Sequence, residues 1–367
     1  MGEQAFHVNR QAATGGSALW HRIRQRRLTT LAVVGMTKNT GKTVALNHLL
    51  VCAARDGVAT GVTSIGRDGE ERDQVFSIPK PPVLVWPGSI VATARHTLPR
   101  AKARWKLLAG TGLASPMGEI VIVRALEHGA MEVAGASRGS DQQEVLAQLR
   151  QCGCALIVLD GALGRSQHAS PAIAEGMILA TGAALGGGVP DVIRKTRDRL
   201  AILDIPQAGP EILARCAAVF EHRGVGIWDR AGRPLFRADI ATLNAGPALL
   251  AFAGREVAMI AVSGAVGKAL WLTIDALLAR HPGLTLVVAD GTKLFIEHAD
   301  VTRFRNQGGS LLASRRITIA GITVNPCSPH GGHLVAEELL GAARLAFPEH
   351  QVADVILERA PTKTGVC

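Results

Sequence analysis

Gly35-Met36-Thr37-Lys38-Asn39-Thr40-Gly41-Lys42-Thr43 stands between an apolar run, Leu31 to Val34, and a stretch of helical periodicity, Thr43 to Ala54. The first reads as a buried strand and the second as a helix, so the chain crosses from strand to helix through a glycine-bounded loop. That context suits an anion, because the amides of a helix's first turn converge on whatever lies before it. In this reading Gly35 and Gly41 shape the turn and the backbone of Lys38, Asn39 and Thr40 cradles phosphates. Lys42 neutralises β- and γ-phosphate charge, and the Thr43 hydroxyl ligates Mg²⁺. Met36 to Thr40 puts five residues between the glycines, one more than the four of the usual pattern.

A phosphate loop needs a carboxylate for its metal. Cys154 to Asp160 is an apolar run closed by an acid, as a metal-binding strand end requires, and Asp160 is the first candidate. An ordinary strand-end turn residue is the simpler alternative. Ala59 to Ile65 reads as a second strand, followed by an acidic loop, Arg67-Asp-Gly-Glu-Glu-Arg-Asp73. There Asp68 is a second metal candidate, Glu70 and Asp73 are alternatives, and a solvated charged loop is the competing reading. No Asn/Thr-Lys-x-Asp guanine box follows a late strand, so ATP is favoured over GTP.

Outward from this centre, strands and helices alternate. Pro79 to Thr93 holds four prolines and reads as extended or hairpin-like, and Arg95 to Leu108 as a basic helix. Glu119 to Val123, Met131 to Ala134, Ala155 to Leu159 and Met177 to Thr181 read as strands; Gln142 to Gln151 and Asp191 to Leu203 read as helices. This pattern predicts an α/β fold, a three-layer sandwich of P-loop NTPase type with a mainly parallel sheet over residues 28–205. Pro206 to Pro210 is a linker in this reading, and a second, smaller α/β domain over 211–367 follows. It has a hairpin at Val225 to Arg237 and strands at Ala258 to Val262, Leu284 to Ala289 and Ile317 to Val324. Its helices run from Gly267 to Ala279 and from His333 to Phe347, and residues 1–27 read as a flexible basic arm.

The chain has 367 residues, 47% apolar and 19% charged, a globular composition that excludes disordered, collagenous and coiled-coil classes. No uncharged apolar run reaches the ~20 residues of a membrane span. With no signal-like N-terminus either, the sequence reads as a cytoplasmic protein without a membrane partner. The net charge of +10 raises nucleic acid as a partner, but the cations fall in separate clusters, aromatics are 4% and tyrosine is absent. A solvated arginine-rich surface, or an acidic protein partner, fits better than specific nucleic-acid binding. Cys152 and Cys154 read as small buried hydrophobes rather than a redox pair. Ser263-Gly-Ala-Val-Gly-Lys268-Ala269 is a degenerate second loop without a hydroxyl ligand and reads as a structural turn, as does Asp290-Gly-Thr-Lys293. His330 and His333 lack companion metal ligands.

The long Gly35–Thr43 loop resembles that of dethiobiotin synthetase and its relatives; the lysine that marks MinD-type loops is replaced by Thr37. Joined with Gly61-Val-Thr-Ser-Ile-Gly-Arg-Asp-Gly-Glu70, Leu159-Asp-Gly-Ala162, Ser170-Pro171, Ile178-Leu-Ala-Thr-Gly-Ala183, Ile322-Thr-Val-Asn-Pro326 and Ser328-Pro329, it resembles the P-loop subunit of the lysine 5,6-aminomutase reactivase. That resemblance spans roughly residues 28 to 356. It implies an ATP- and Mg²⁺-dependent reactivating ATPase that frees damaged cobalamin from an adenosylcobalamin-dependent lysine 5,6-aminomutase. A MutS-related companion subunit is implied as partner, and a homo-oligomer is compatible with it. Carried over, Lys42, Thr43 and Asp160 take the nucleotide and magnesium roles, while Arg67, Asp68 and Glu70 become switch-loop residues. The alternative is a dethiobiotin-synthetase-like ligase or small-molecule kinase, in which Lys38 helps bind substrate. A metallochaperone is disfavoured for want of a coherent Cys/His cluster.

Overall fold

A computed structural model describes residues 17–64, 82–136, 138–162, 170–171, 173–329 and 331–359. The chain is α/β and divides into two compact units, each built from separated segments. The described parts of residues 1–162, 178–192 and 320–367 form the first; those of 163–177 and 193–319 form the second.

The first unit opens with α1 (Ala18–Gln25), β1 (Thr30–Gly35), α2 (Lys42–Arg55) and β2 (Thr60–Ser64). β3 (Val83–Val85), β4 (Ile90–Ala94), β5 (Trp105–Ser115), β6 (Gly118–Ala125) and β7 (Gly129–Met131) follow, then α3 (Gly139–Gln151), β8 (Leu156–Ala162) and β9 (Gly176–Gly182). The second unit takes in most of α4 (Val189–Leu203), then α5 (Pro210–His222), β10 (Val225–Trp228), β11 (Pro234–Ala238), α6 (Ala245–Leu250) and β12 (Met259–Val262). It continues through β13 (Val266–Gly267), α7 (Lys268–Arg280), β14 (Thr285–Val288), β15 (Leu294–Phe295), α8 (His298–Asn306) and β16 (Ser310–Ala313). The chain returns to the first unit with β17 (Ile319–Asn325), α9 (Ala336–Ala346) and β18 (Val352–Ala353).

The large sheet has nine strands in the order β18-β17-β9-β1-β8-β2-β4-β6-β5. β1, β8, β2 and β4 run parallel to one another, and β6 and β5 add an antiparallel edge. β1, β2 and β9 are buried along their whole length, which is why they read as continuous apolar runs rather than alternating ones. The smaller sheet, β11-β10-β12-β14-β16, joins a hairpin to three parallel strands, and the expected hairpin at Val225 to Arg237 is its β10–β11 pair.

Several expectations are corrected. The segment Arg95 to Leu108 is not a helix. It forms a short 3₁₀ turn, Arg95–Arg100, containing Pro99, and then enters β5. Proline stops the helical ladder, and the basic side chains instead find acids across the β5–β6 region: Arg95 with Glu119, Arg100 with Glu132 and Arg104 with Glu127. The described part of the Pro79 to Thr93 stretch is extended in β3 and β4, one of its two expected forms, but it is no hairpin, since β3 pairs with β7 and not with β4; residues 79–81 lie outside the described residues. Asn47 fixes β3 from α2, its amide donating to the Pro82 carbonyl at 2.9 Å and accepting from the Leu84 N–H at 2.9 Å. The expected second domain over 211–367 differs from the observed division, because β17 and β18 belong to the large sheet and the described residues of 320–359 to the first unit.

The arm expected over 1–27 is structured from Ser17 onward. Leu19, Trp20 and Ile23 of α1 are all at most 3% exposed within the main apolar core. Ser17 caps the helix and donates to Glu358 Oε2 at 2.7 Å, while His48 Nε2 of α2 stands 2.8 Å from the same hydroxyl. The Trp20 indole donates to Asp56 Oδ2 at 2.6 Å. Among the described residues no helix is long and apolar enough to cross a membrane.

A helix seated this way contributes to global stability. Leu19→Ala is expected to lower the unfolding free energy by about 2–5 kcal/mol in urea titration, as for other buried leucines. A loss under about 0.5 kcal/mol, the value for an exposed position, would contradict the seating of α1.

Candidate functional site

β1 ends at Gly35, and the backbone doubles back through Asn39 and Gly41 before α2 begins at Lys42. Asn39 has φ 62° and Gly41 φ 84°, both left-handed. Glycine suits the second position twice over, since a Cβ there would be strained and would meet the Asn325 Cβ at 3.1 Å. Thr40 is buried, and its hydroxyl donates to the Thr37 carbonyl at 3.0 Å, tightening the turn. Lys38 and Asn39 are exposed at its tip. The Met36 N–H donates to the Ala180 carbonyl of β9 at 2.9 Å, tying the start of the loop to the sheet.

Asp160 comes from β8, which lies between β1 and β2, in register with Val33 and Ser64. Its side chain is 2% exposed, and Lys42 Nζ stands 2.9 Å from its Oδ1. Ser64 donates from its hydroxyl to the Asp160 carbonyl at 3.2 Å. Thr43 follows Lys42 in the first turn of α2 and is buried. That turn carries neither a side-chain cap nor an acidic residue, so its N-terminal partial positive charge is not offset by a local carboxylate.

The structure therefore brings together Gly35, Lys38, Asn39, Thr40, Gly41, Lys42 and Thr43 on one strand–loop–helix turn, with Asp160 beside its lysine. Chemically this is a helix start with uncapped amides, the Lys42 cation, the buried Asp160 carboxylate and the Thr43 hydroxyl, a set that accommodates an anion with a divalent metal. Arg67, Asp68, Glu70 and Asp73 lie outside the described residues.

Asn325 is a contributor that spacing alone did not single out. It ends β17, and its amide donates to the Asn39 carbonyl at 3.0 Å, bracing the loop tip. β9 closes at Gly182, where a Cβ would stand 2.0 Å from the Asn325 carbonyl oxygen, so the two strand ends meet beneath the turn. The signal in the sequence is an asparagine at the end of an apolar run, with a proline after it.

The other candidates resolve as structural features. In the turn between β12 and α7, Lys268 donates to both oxygens of Asp300 at 2.7 Å. Burial pushes the Asp300 carboxyl up, but bonds from Lys268 and the Glu297 N–H and the charges of Lys268 and Arg303 outweigh it and hold it below the usual range. Asp290 accepts from the Thr292 N–H at 2.9 Å and from the Ser170 hydroxyl at 2.6 Å, which closes the turn locally. Burial, with Cys152 nearby, pushes the Cys154 thiol up to about 12, so it stays protonated and is no thiolate nucleophile at neutral pH. Among the described residues no group of three or more His, Cys, Asp and Glu side chains is placed to hold a metal; His330 lies outside them. Searched against family models, curated proteins and solved structures, the chain matches none.

Removing the brace should loosen the loop without unfolding the chain. Asn325→Ala is expected to speed amide exchange at residues 37–41 by about 5- to 10-fold, the equivalent of one hydrogen bond of roughly 1 kcal/mol, with exchange in β1 unchanged. Unchanged exchange at the loop would remove Asn325 from the site.

Proposed function

We propose that the Gly35–Thr43 turn is a nucleotide phosphate loop and that the chain is a Mg·ATP-dependent ATPase acting as the nucleotide subunit of a reactivating factor. The observation that carries the first part is the Lys42–Asp160 pair, 2.9 Å apart, at the uncapped start of a helix. Pairing with Lys42 lowers the cost of burying the Asp160 charge. When phosphate enters, the lysine has a second anion within reach of its flexible stem, and the helix amides supply the remaining donors.

The residues fit magnesium as well. Thr43 and Asp160 present a hydroxyl and a carboxylate, the hard oxygen ligands that ion takes. Bound Mg²⁺ supplies charge neutralisation at the β- and γ-phosphate oxygens. Lys42 shares that task, Gly41 and Asn39 hold the loop open in left-handed conformations, and Asn325 keeps its tip in place. Arg67, Asp68 and Glu70 follow β2 in the sequence, and by the family resemblance this reading gives them the role of a switch segment.

The reactivase assignment rests on the resemblance of the Gly61 to Glu70 block, the Leu159 to Ala162 strand end and the Ile322 to Pro326 segment to that family. The client is an adenosylcobalamin-dependent lysine 5,6-aminomutase, and the companion a MutS-related subunit. The ligase reading is separated by what the turnover depends on: a ligase needs a small-molecule acceptor held near Lys38, whereas a reactivase hydrolyses ATP in response to its mutase.

Lys42→Ala is expected to abolish measurable Mg·ATP binding in calorimetry while the thermal unfolding midpoint stays within a few degrees. Asp160→Asn should still bind nucleotide but lose about 10²- to 10³-fold in hydrolysis, the cost of removing one charge-stabilising group. Unaltered affinity in Lys42→Ala would overturn the loop assignment. Addition of inactivated aminomutase and fresh cobalamin should raise ATP turnover and restore mutase activity; restoration without ATP would reject the reactivase.

A further inference from the structure

The second unit holds an open cleft of about 600 Å³ in which Arg199, Lys268, Leu294, Phe295, Glu297 and Asp300 take part in the lining. Its size falls in the range of small-molecule sites. The carboxylates there are already engaged. Asp300 accepts from Lys268, from Arg303 and from the Glu297 N–H, and the Glu297 side chain accepts from the Asp300 N–H in a reciprocal cap of α8.

Arg199, on α4, is different. Its Nε is buried and meets no hydrogen-bond partner, and no ion pair to it forms among the described residues. Burial without a counter-charge pushes its guanidinium down to about 10, still fully protonated at neutral pH. The residue is half-buried, so its cation is partly desolvated with no acid beside it, and arginine's planar fork matches carboxylate and phosphate. Nearby arginines of the unit have acids: Arg303 pairs with Asp275 and Asp300, and Arg316 with Asp204.

Two further features point the same way. α7 begins at the cleft with Lys268, its cap Gly267 offers no side chain, and no acid stands in its first turn. Lys268 is 56% exposed despite its bond to Asp300, leaving one ammonium N–H for another acceptor. Phe295, 40% exposed, supplies an apolar wall that the interior has not claimed.

We propose that this cleft binds a small organic anion, its carboxylate or phosphate head on Arg199 beside the start of α7 and its apolar body against Phe295. The site is independent of the Gly35–Thr43 loop, and every residue it uses belongs to the second unit.

The test uses the full chain carrying Lys42→Ala, so that the first unit's loop adds little anion binding, and compares Arg199 with Arg199→Met. Thermal shift and calorimetry are run with phenyl phosphate, benzoate, inorganic phosphate and benzyl alcohol. Phenyl phosphate or benzoate is expected to bind, with the stronger of the two identifying the head group. Arg199→Met should weaken that binding by about 10- to 100-fold, the worth of a charge-assisted hydrogen bond. Inorganic phosphate and benzyl alcohol, each carrying half of the chemistry, should bind more weakly than the better organic anion. Equal binding by parent and Arg199→Met, or no binding of either organic anion, overturns the proposal. The unliganded Arg199→Met protein should melt no lower than its parent, because it loses a partly desolvated charge that has no acid beside it. A lower midpoint would make Arg199 a structural residue and overturn the proposal too. The comparison turns on Arg199 alone, so its failure leaves the nucleotide reading untouched, and the reverse holds.

Discussion

A carboxylate at 2% exposure in the middle of a nine-stranded sheet is a standing electrostatic cost, and the arrangement around Asp160 follows from meeting it. A cation 2.9 Å away offsets part of the cost of burying that carboxylate. Lys42 supplies that cation only if α2 starts directly after the Gly35–Gly41 turn and β1 lies beside β8 in the observed register, Val33 against Asp160. The left-handed Asn39 and Gly41, the Thr40 bond within the turn and the Asn325 brace all serve the same placement. Fold and candidate site are thus linked through one ion pair, and whatever anion or metal competes for its members acts on the strand–helix junction directly.

The second unit offers an internal comparison. It too passes from an apolar strand through a glycine-rich turn to a lysine that opens a helix, with that lysine on a buried aspartate. The differences decide the chemistry. Gly267 has φ −88°, so the residue before Lys268 is not left-handed as Gly41 is, and Ala269 follows the lysine where the first unit has Thr43. Asp300 is further saturated by Arg303 and the Glu297 N–H. A lysine held by so fully bonded a carboxylate serves the fold first, and the cation of that cleft without an acid is Arg199.

How much of this was legible in the sequence depends on range. β1, β8 and the turn between β1 and α2 were readable because buried parallel strands write themselves as unbroken apolar runs and the glycine spacing is local. β5 was not, because five cations between Arg95 and Lys106 imitate a basic helix, and the acids that neutralise Arg95, Arg100 and Arg104 lie 23 to 32 residues further on. The return of β17 and β18 to the large sheet is a tertiary choice with no local signature, and it sets the observed division apart from the expected second domain over 211–367. α1 was hidden by composition: arginines dominate the segment, although Leu19, Trp20 and Ile23 already share one helical face. In the site, Lys42 and Asp160 could be paired by motif, whereas Asn325 acts across 286 residues and shows its role only in space.

The account turns on Lys42 and Asp160 serving as a phosphate and metal site rather than as a permanent structural pair. A crystal structure of the chain with Mg²⁺ and a non-hydrolysable ATP analogue tests this most directly. The account predicts phosphates seated on the turn from Lys38 to Thr43, Lys42 Nζ displaced from its 2.9 Å contact toward them, and Asp160 facing the metal. Nucleotide bound elsewhere, with the Lys42–Asp160 pair unchanged, would contradict it.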